Sequence, residues 1–253
     1  MHVLVTGGTG FIGKKLLNRL IQKKYKITAL VRECSENKIF KAENISWIIG
    51  DLDSFEAISL IDIDIVIHLA AFSPNKPYAS VNNCIKQNVL VPTKFIETMI
   101  DKGVKNWFIA GTYFEKKDFT VFENSLNSYT LSKSMLNLLV RYYTVKYGLK
   151  SVYGIIHQVY GDGEPNDRLW PNLKKAAEGG EDFVINSGKQ NANFISVDNV
   201  VDQIIKSFQI FDNLDKGVFV EHHIKGHKEL SVSKFAQNCW SSWGASGKLI
   251  IKD

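Results

Sequence analysis

Tyr129 and Lys133 stand four residues apart in Tyr129-Thr-Leu-Ser-Lys133, and Thr112 precedes the tyrosine by seventeen residues. Four residues make about one helical turn, so the phenol and the ammonium share a helix face. A free phenol titrates near ~10, and bringing it into use near neutrality takes about 3–4 kcal/mol, which a neighbouring cation supplies by favouring the tyrosinate. A hydroxyl such as that of Thr112 can hydrogen-bond a reacting oxygen and fix its distance from the phenol. The trio suits proton transfer at an oxygen whose carbon is being oxidised or reduced. A Tyr-x-x-x-Lys pair alone is also an ordinary exposed helix turn, so the surrounding elements must carry the reading.

Those elements start at the first residues. Val3-Leu-Val-Thr-Gly-Gly-Thr-Gly-Phe-Ile-Gly13 opens with a short apolar run, as expected of a central parallel strand, and passes through glycines 7, 8, 10 and 13. Ile12, Leu16, Leu17 and Leu20 then recur at helical spacing. A glycine turn between a strand and a helix lets the backbone approach a pyrophosphate, which rests on free N–H groups at the positive end of the helix dipole. Gly7, Thr9, Gly10, Phe11, Ile12 and Gly13 are therefore cofactor candidates. Further strands are predicted at Lys26–Val31, Ile45–Ile49, Asp64–Ala71, Asn106–Gly111 and Ser151–Ile156, with helical patterns between them. That alternation predicts an α/β fold, a Rossmann-like doubly wound parallel sheet, with the reactive groups at strand carboxyl ends. Thr112 stands at one such end, and Tyr129 opens a long helical segment reaching about Tyr147.

Arg32 ends the second strand, nineteen residues past Gly13. An acidic residue there would hold the ribose 2′-hydroxyl of NAD, whereas arginine grips the 2′-phosphate of NADP; Arg32 points to NADP, with Glu33 beside it leaving NAD open. His68 lies inside the fourth strand and reads as a core histidine. His222, His223 and His227 lack an acidic or cysteine partner at ligand spacing and read as strand and loop residues, so no metal site is expected.

At 253 residues the chain can hold one substantial core with a small appended lobe. The formal charge of +5 comes from scattered lysines without a basic run, which argues against a nucleic-acid partner. Cys34, Cys84 and Cys239 form no C-x-x-C pair, which argues against a disulfide framework and for a reduced, cytoplasmic setting. Val3 opens a strand so early that no secretory leader is expected, and no apolar run reaches the ~18 residues of a membrane span.

Gly7-x-x-Gly10-x-x-Gly13, Thr112 and Tyr129-x-x-x-Lys133 together resemble the short-chain dehydrogenase/reductases, and Gly-Gly-Thr-Gly-Phe-Ile-Gly13 resembles their extended, nucleotide-sugar-modifying branch. The resemblance implies that Thr112, Tyr129 and Lys133 are catalytic, with Lys133 also holding the nicotinamide ribose. It adds Asp51 and Leu52 of Gly50-Asp-Leu52 near the adenine, the alternative for Asp51 being a helix N-cap. It also adds Leu69, Ala70 and Ala71 along the cofactor, Asn88 beside the active site, and Gln158 ahead of the Val159-Tyr-Gly161 turn where substrate contacts begin. Phe72, Thr112, Tyr113, Tyr129 and Trp170 are the substrate candidates. The implied layout is an NADP-binding domain over 1–160, with a return segment over 194–212, and a small C-terminal substrate-binding lobe over 161–193 and 213–253. A homodimer through the helix of Tyr129 is implied as well. Where the family carries arginines, this chain has Ala192 and Ile155.

Dehydratases of this branch carry an Asp-Glu pair directly after the threonine; here Tyr113-Phe114 follow, with Glu115 third, so elimination is disfavoured. Thr112-Tyr-Phe-Glu-Lys-Lys-Asp-Phe119 and Asn88-Val-Leu-Val-Pro92 resemble the sugar 4-ketoreductases. The expected activity is NADPH-dependent reduction of a nucleoside-diphosphate-linked 4-keto-6-deoxy sugar in deoxysugar or O-antigen-type polysaccharide biosynthesis. The alternatives are an NAD-dependent 4-epimerase and, from another class, a non-catalytic dinucleotide-binding regulator.

Overall fold

The computed structural model describes residues 1–54, 62–72, 80–115 and 127–252. It comprises two compact units, Met1–Ile155 with Gln203–His223, and Ile156–Asp202 with Ile224–Asp253. The chain opens with β1 (His2–Thr6), α1 (Phe11–Gln22), β2 (Lys26–Val31), β3 (Ile45–Ile49) and β4 (Ile65–His68). Next come α2 (Val81–Ile85), a π-helical turn at Lys86–Leu90, α3 (Val91–Asp101), β5 (Asn106–Thr112), α4 (Ser128–Tyr147) and β6 (Lys150–Ile156). The remainder holds β7 (Gln158–Tyr160), α5 (Leu169–Gly179), β8 (Phe183–Ile185), β9 (Asn191–Ser196), α6 (Val197–Lys206), α7 (Phe208–Asp212), β10 (Phe219–Ile224), β11 (Glu229–Ser231), α8 (Val232–Ser242) and β12 (Leu249–Ile251).

Seven strands form the central sheet in the order β10-β6-β5-β4-β1-β2-β3. Its pairings are parallel, with Val3 beside both Ile27 and Ile65, and Ile65 beside Asn106. The order reverses on either side of β1, which is the doubly wound, Rossmann-like arrangement expected from the alternating pattern. β1 is buried along its whole length because helices cover both sheet faces, which explains its unbroken Val-Leu-Val run. Phe95 and Met99 of α3 and Leu136 and Val140 of α4 pack with Trp107 and Tyr153 in one core cluster.

The fourth strand is shorter than predicted. Leu69 still donates its N–H to the Thr6 carbonyl at 3.1 Å, but Ala70 turns its N–H to the Thr6 hydroxyl at 3.4 Å. The ladder ends there, where Gly7 lies against the backbone of residues 69 and 70. Gly7 has φ +74°, and a Cβ on it would stand 2.6 Å from Ala70 N. A Cβ on Gly13 would stand 2.1 Å from the Gly7 carbonyl, so α1 can leave the turn at its observed angle only without a side chain there.

The second unit contains a three-stranded sheet, β11-β9-β7, and a two-stranded one, β12-β8. Leu173, Ala176, Ala177, Ile185, Ala236 and Trp240 form its core cluster. α5 was not evident from the sequence, since its buried face is Leu173 with two alanines, too small to mark an apolar stripe. Ala192, where the family carries an arginine, pairs with Leu230 in the β9–β11 ladder.

Two outcomes follow. Gly13→Ala forces a methyl onto the Gly7 carbonyl, an overpacking expected to destabilise by about 1–3 kcal/mol; thermal melting will show it as a lowered midpoint, and an unchanged midpoint would mean that the turn yields freely. Glu164, after β7, is half-buried, and desolvation lifts its carboxyl from 4.5 to about 7 against the opposing pull of Arg168. The folded state then holds this proton more tightly than the unfolded chain, so the group's contribution is fully present below 4.5 and is lost as pH rises through 7. Glu164→Gln is expected to flatten that fall in the melting midpoint between acid and neutral pH.

Candidate active site

At the carboxyl ends of β1, β2 and β4 lies a cleft with a volume of about 740 Å³. Of the residues expected at a cofactor, Gly7, Thr9, Gly10, Arg32, Asp51, Leu52, Leu69, Ala70 and Ala71 line it, and Phe72 joins them from the substrate set. Phe11, Ile12 and Gly13 do not line it; they form the first turn of α1 behind the loop. α1 carries no side-chain cap at Gly10 and no acidic residue in its first turn, so the N–H groups and positive dipole end remain available to an anion. At the β2 end, Arg32 starts a 3₁₀ turn over Glu33–Lys38 that brings Ser35 and Lys38 to the same wall. Glu33 does not line the cleft. Asp51 accepts from the Ser54 N–H through its carbonyl in a turn.

Thr112 ends β5 and is 9% exposed. α4 begins with a capping box in which the Asn127 side chain accepts the Thr130 N–H at 3.0 Å and the Thr130 hydroxyl accepts the Asn127 N–H at 3.1 Å. That cap starts the helix one residue before Tyr129 and places Lys133 one turn on. Tyr129 is half-buried; Lys133 is only 2% exposed and donates from Nζ to the Ala110 carbonyl on β5. Burial depresses the Lys133 pKa, while the nearby Glu115 carboxylate opposes the depression. His68, stacked on Phe95 and bonded through Nδ1 to the Thr6 hydroxyl at 2.8 Å, is lowered to about 3 by burial and by Lys133. It is therefore a neutral core side chain.

Asn88 acts as a cross-brace. Its Oδ1 accepts the Phe72 N–H at 2.7 Å, and its Nδ2 donates to the Phe72 carbonyl at 2.8 Å and to the Ser132 hydroxyl at 3.0 Å. Ser132 in turn donates to the Tyr129 carbonyl at 2.8 Å. The extra residue of the π-helical turn at Lys86–Leu90 sets Asn88 in this position. It lies behind the cleft wall and does not line the cleft. Thr112 and Tyr113 line a second cavity of about 490 Å³ with Glu115, Asn137, Arg141 and Glu221. Tyr113 is half exposed, its ring edge-on to Phe114 at 6.0 Å.

Gln158 and Trp170 belong to the second unit. Trp170 packs there against Tyr160 and Trp243, with the Lys174 ammonium 5.0 Å above its ring. His222 and His223 lie on β10 and His227 in the following loop, and among the described residues no group of three His, Cys, Asp or Glu side chains could hold a metal ion. No helix among them is long and apolar enough to cross a membrane. The sequence reading missed Ser35, Lys38, Lys86 and Gln87 of the cleft and the bracing role of Ser132. Ser132 had one signal, a small hydroxyl directly beside Lys133.

Thr112, Tyr129 and Lys133 do not line the 740 Å³ cleft, whose glycine turn, open helix N-terminus and wall of small residues have the form of a dinucleotide site. Comparison with known proteins agrees. The CDP-abequose synthase of Salmonella muenchen is 27% identical over 208 residues, covering 81% of this chain and 69% of that protein. The UDP-glucose 4-epimerase of Streptococcus mutans is 28% identical over 206 residues, covering 71% of this chain and 61% of that protein. The structure of MoeE5 in complex with UDP-glucuronic acid and NAD superimposes with a TM-score of 0.78 at 22% identity, covering all of this chain and 86% of the other. The model of the NAD dependent epimerase/dehydratase family matches residues 3–220, and the chain belongs to that family of nucleotide-sugar-modifying enzymes.

Proposed function

We propose that the protein is an NADPH-dependent reductase of a nucleoside-diphosphate-linked 4-keto-6-deoxy sugar, acting in the cytoplasm in deoxysugar or O-antigen-type polysaccharide biosynthesis. The observation that carries this reading is the cationic wall at the β2 end of the cleft. Arg32 and Lys38 line it together with the Ser35 side of the 3₁₀ turn, a donor set suited to a 2′-phosphate. Likeness to CDP-abequose synthase supports the 4-keto sugar.

The residues present fit the dinucleotide: a loop that tolerates no side chain at Gly7, the open N-terminus of α1, and the backbone of Leu69, Ala70 and Ala71 along the wall. NADPH, when bound, supplies a hydride for the carbonyl carbon. Thr112 hydrogen-bonds the carbonyl oxygen, and Tyr129 gives that oxygen its proton. Lys133 favours the tyrosinate left behind, and by resemblance its remaining donors hold the nicotinamide ribose. Asn88 keeps the Phe72 backbone and α4 in register behind these groups. Phe72 and Tyr113 are assigned to the sugar or base. The strip Leu138, Tyr142 and Val145, exposed at helical spacing on α4, is assigned to a second copy in a homodimer.

Likeness to the streptococcal 4-epimerase favours a second reading, in which NAD is retained and reduced and reoxidised within each turnover. The test is a spectrophotometric assay on nucleotide-linked 4-keto-6-deoxy sugars: a reductase consumes NADPH stoichiometrically, whereas an epimerase interconverts sugars without net consumption. Tyr129→Phe is expected to abolish turnover with NADPH affinity nearly unchanged, and retained activity would remove the phenol from the mechanism. Arg32→Asp is expected to weaken NADPH by about tenfold or more while leaving NADH nearly unaffected, as loss of a charge-assisted contact would. Equal losses in fluorescence titrations would show that the 2′-phosphate is held elsewhere.

A further inference from the structure

The carboxyl end of β5 is tied to two other elements through one carboxylate. Glu115 Oε1 accepts the Thr112 N–H at 2.8 Å and the Tyr153 hydroxyl at 3.0 Å, and the Glu115 N–H donates to the Thr112 carbonyl at 3.0 Å. The Thr112 hydroxyl also accepts the Phe114 N–H at 3.4 Å within the same turn. Tyr153 is fully buried on β6, and its hydroxyl lies 3.3 Å from the Lys133 carbonyl on α4. This arrangement exists because position 111 is glycine: a Cβ there would stand 2.2 Å from the Tyr153 ring and 2.9 Å from Glu115 Oε1.

Burying a carboxylate is costly unless bonds and charge repay it. Desolvation raises the Glu115 pKa, and Lys133, the Thr112 amide and the Tyr153 hydroxyl all act against the rise. The coupling is mutual, since Glu115 opposes the effect of burial on Lys133. A side chain that merely closed the turn would need neither a buried phenol as donor nor a glycine cleared for its oxygen.

We propose that Glu115 is a positioning residue for the reaction, holding Thr112 in register with α4 through the Tyr153 hydroxyl and balancing the charge of the buried Lys133. This rests on the reading of Thr112 and Lys133 as reaction residues. Glu115→Gln keeps the size and removes the charge, and Tyr153→Phe removes one donor with little change of volume. Each is expected to lower kcat by about tenfold, the scale of a lost charge-assisted hydrogen bond, with NADPH affinity and sugar KM within about twofold. In a Thr112→Ala background Glu115→Gln should cost clearly less than in the wild type, since the part of its effect that acts through Thr112 has lost its object while the balance with Lys133 remains. Full additivity of the two substitutions would overturn the proposal. A second arm needs no turnover: hydrogen exchange of the peptide carrying Thr112 should quicken in both variants while β1 peptides stay unchanged. Unaltered exchange at Thr112 would also overturn it. If wild-type protein reduces no keto sugar, the reductase reading fails and the exchange arm alone decides the role of Glu115.

Discussion

An ammonium removed from water is among the most expensive groups a protein interior can hold, and Lys133 is 2% exposed. Much of the surrounding structure is a response to that cost. The Ala110 carbonyl at the end of β5 accepts one of its protons, the Glu115 carboxylate supplies opposite charge, and His68 remains uncharged alongside. His68 comes from β4, and Ala110 and Glu115 from β5 and the turn that follows it, so the surroundings of this lysine are complete only when β4, β5 and the start of α4 are in their native relation.

The glycine turn poses a complementary constraint. β1 passes into α1 through positions where a methyl group would strike backbone at 7 and at 13. The emptiness at Gly7 lets the end of β4 come close, and the emptiness at Gly13 aims the helix. One side of the cleft is thus formed by the absence of side chains, and its β2 side by Arg32, Ser35 and Lys38.

Much of this was readable from residues alone, and for definite reasons. β2 and β3 match the predicted Lys26–Val31 and Ile45–Ile49 because each is a short, largely apolar run bounded by turn residues, β2 buried inside the sheet and β3 half-exposed at its edge. The glycines could be read because their function is a local steric one. Groups whose importance arises from tertiary pairing left weaker traces. Asn88 was expected near the site, but its grip on the Phe72 backbone follows from a π-helical turn that hydrophobic periodicity does not register. Lys38 reaches the cleft through a 3₁₀ turn with no apolar face to reveal it. Helix α5 was hidden by the smallness of its alanines, and the end of β4 by a hydroxyl that captured the next amide from the ladder.

The neutral histidine under the site bears on how acidity profiles of the enzyme should be interpreted. Imidazoles are the customary suspects whenever a rate changes between weakly acid and neutral solution. His68, lowered to about 3 by burial and by Lys133, is a spectator throughout that interval. An inflection found there has to be traced to some other group, and the raised carboxyls of Glu115 and Glu164 are the first to consider.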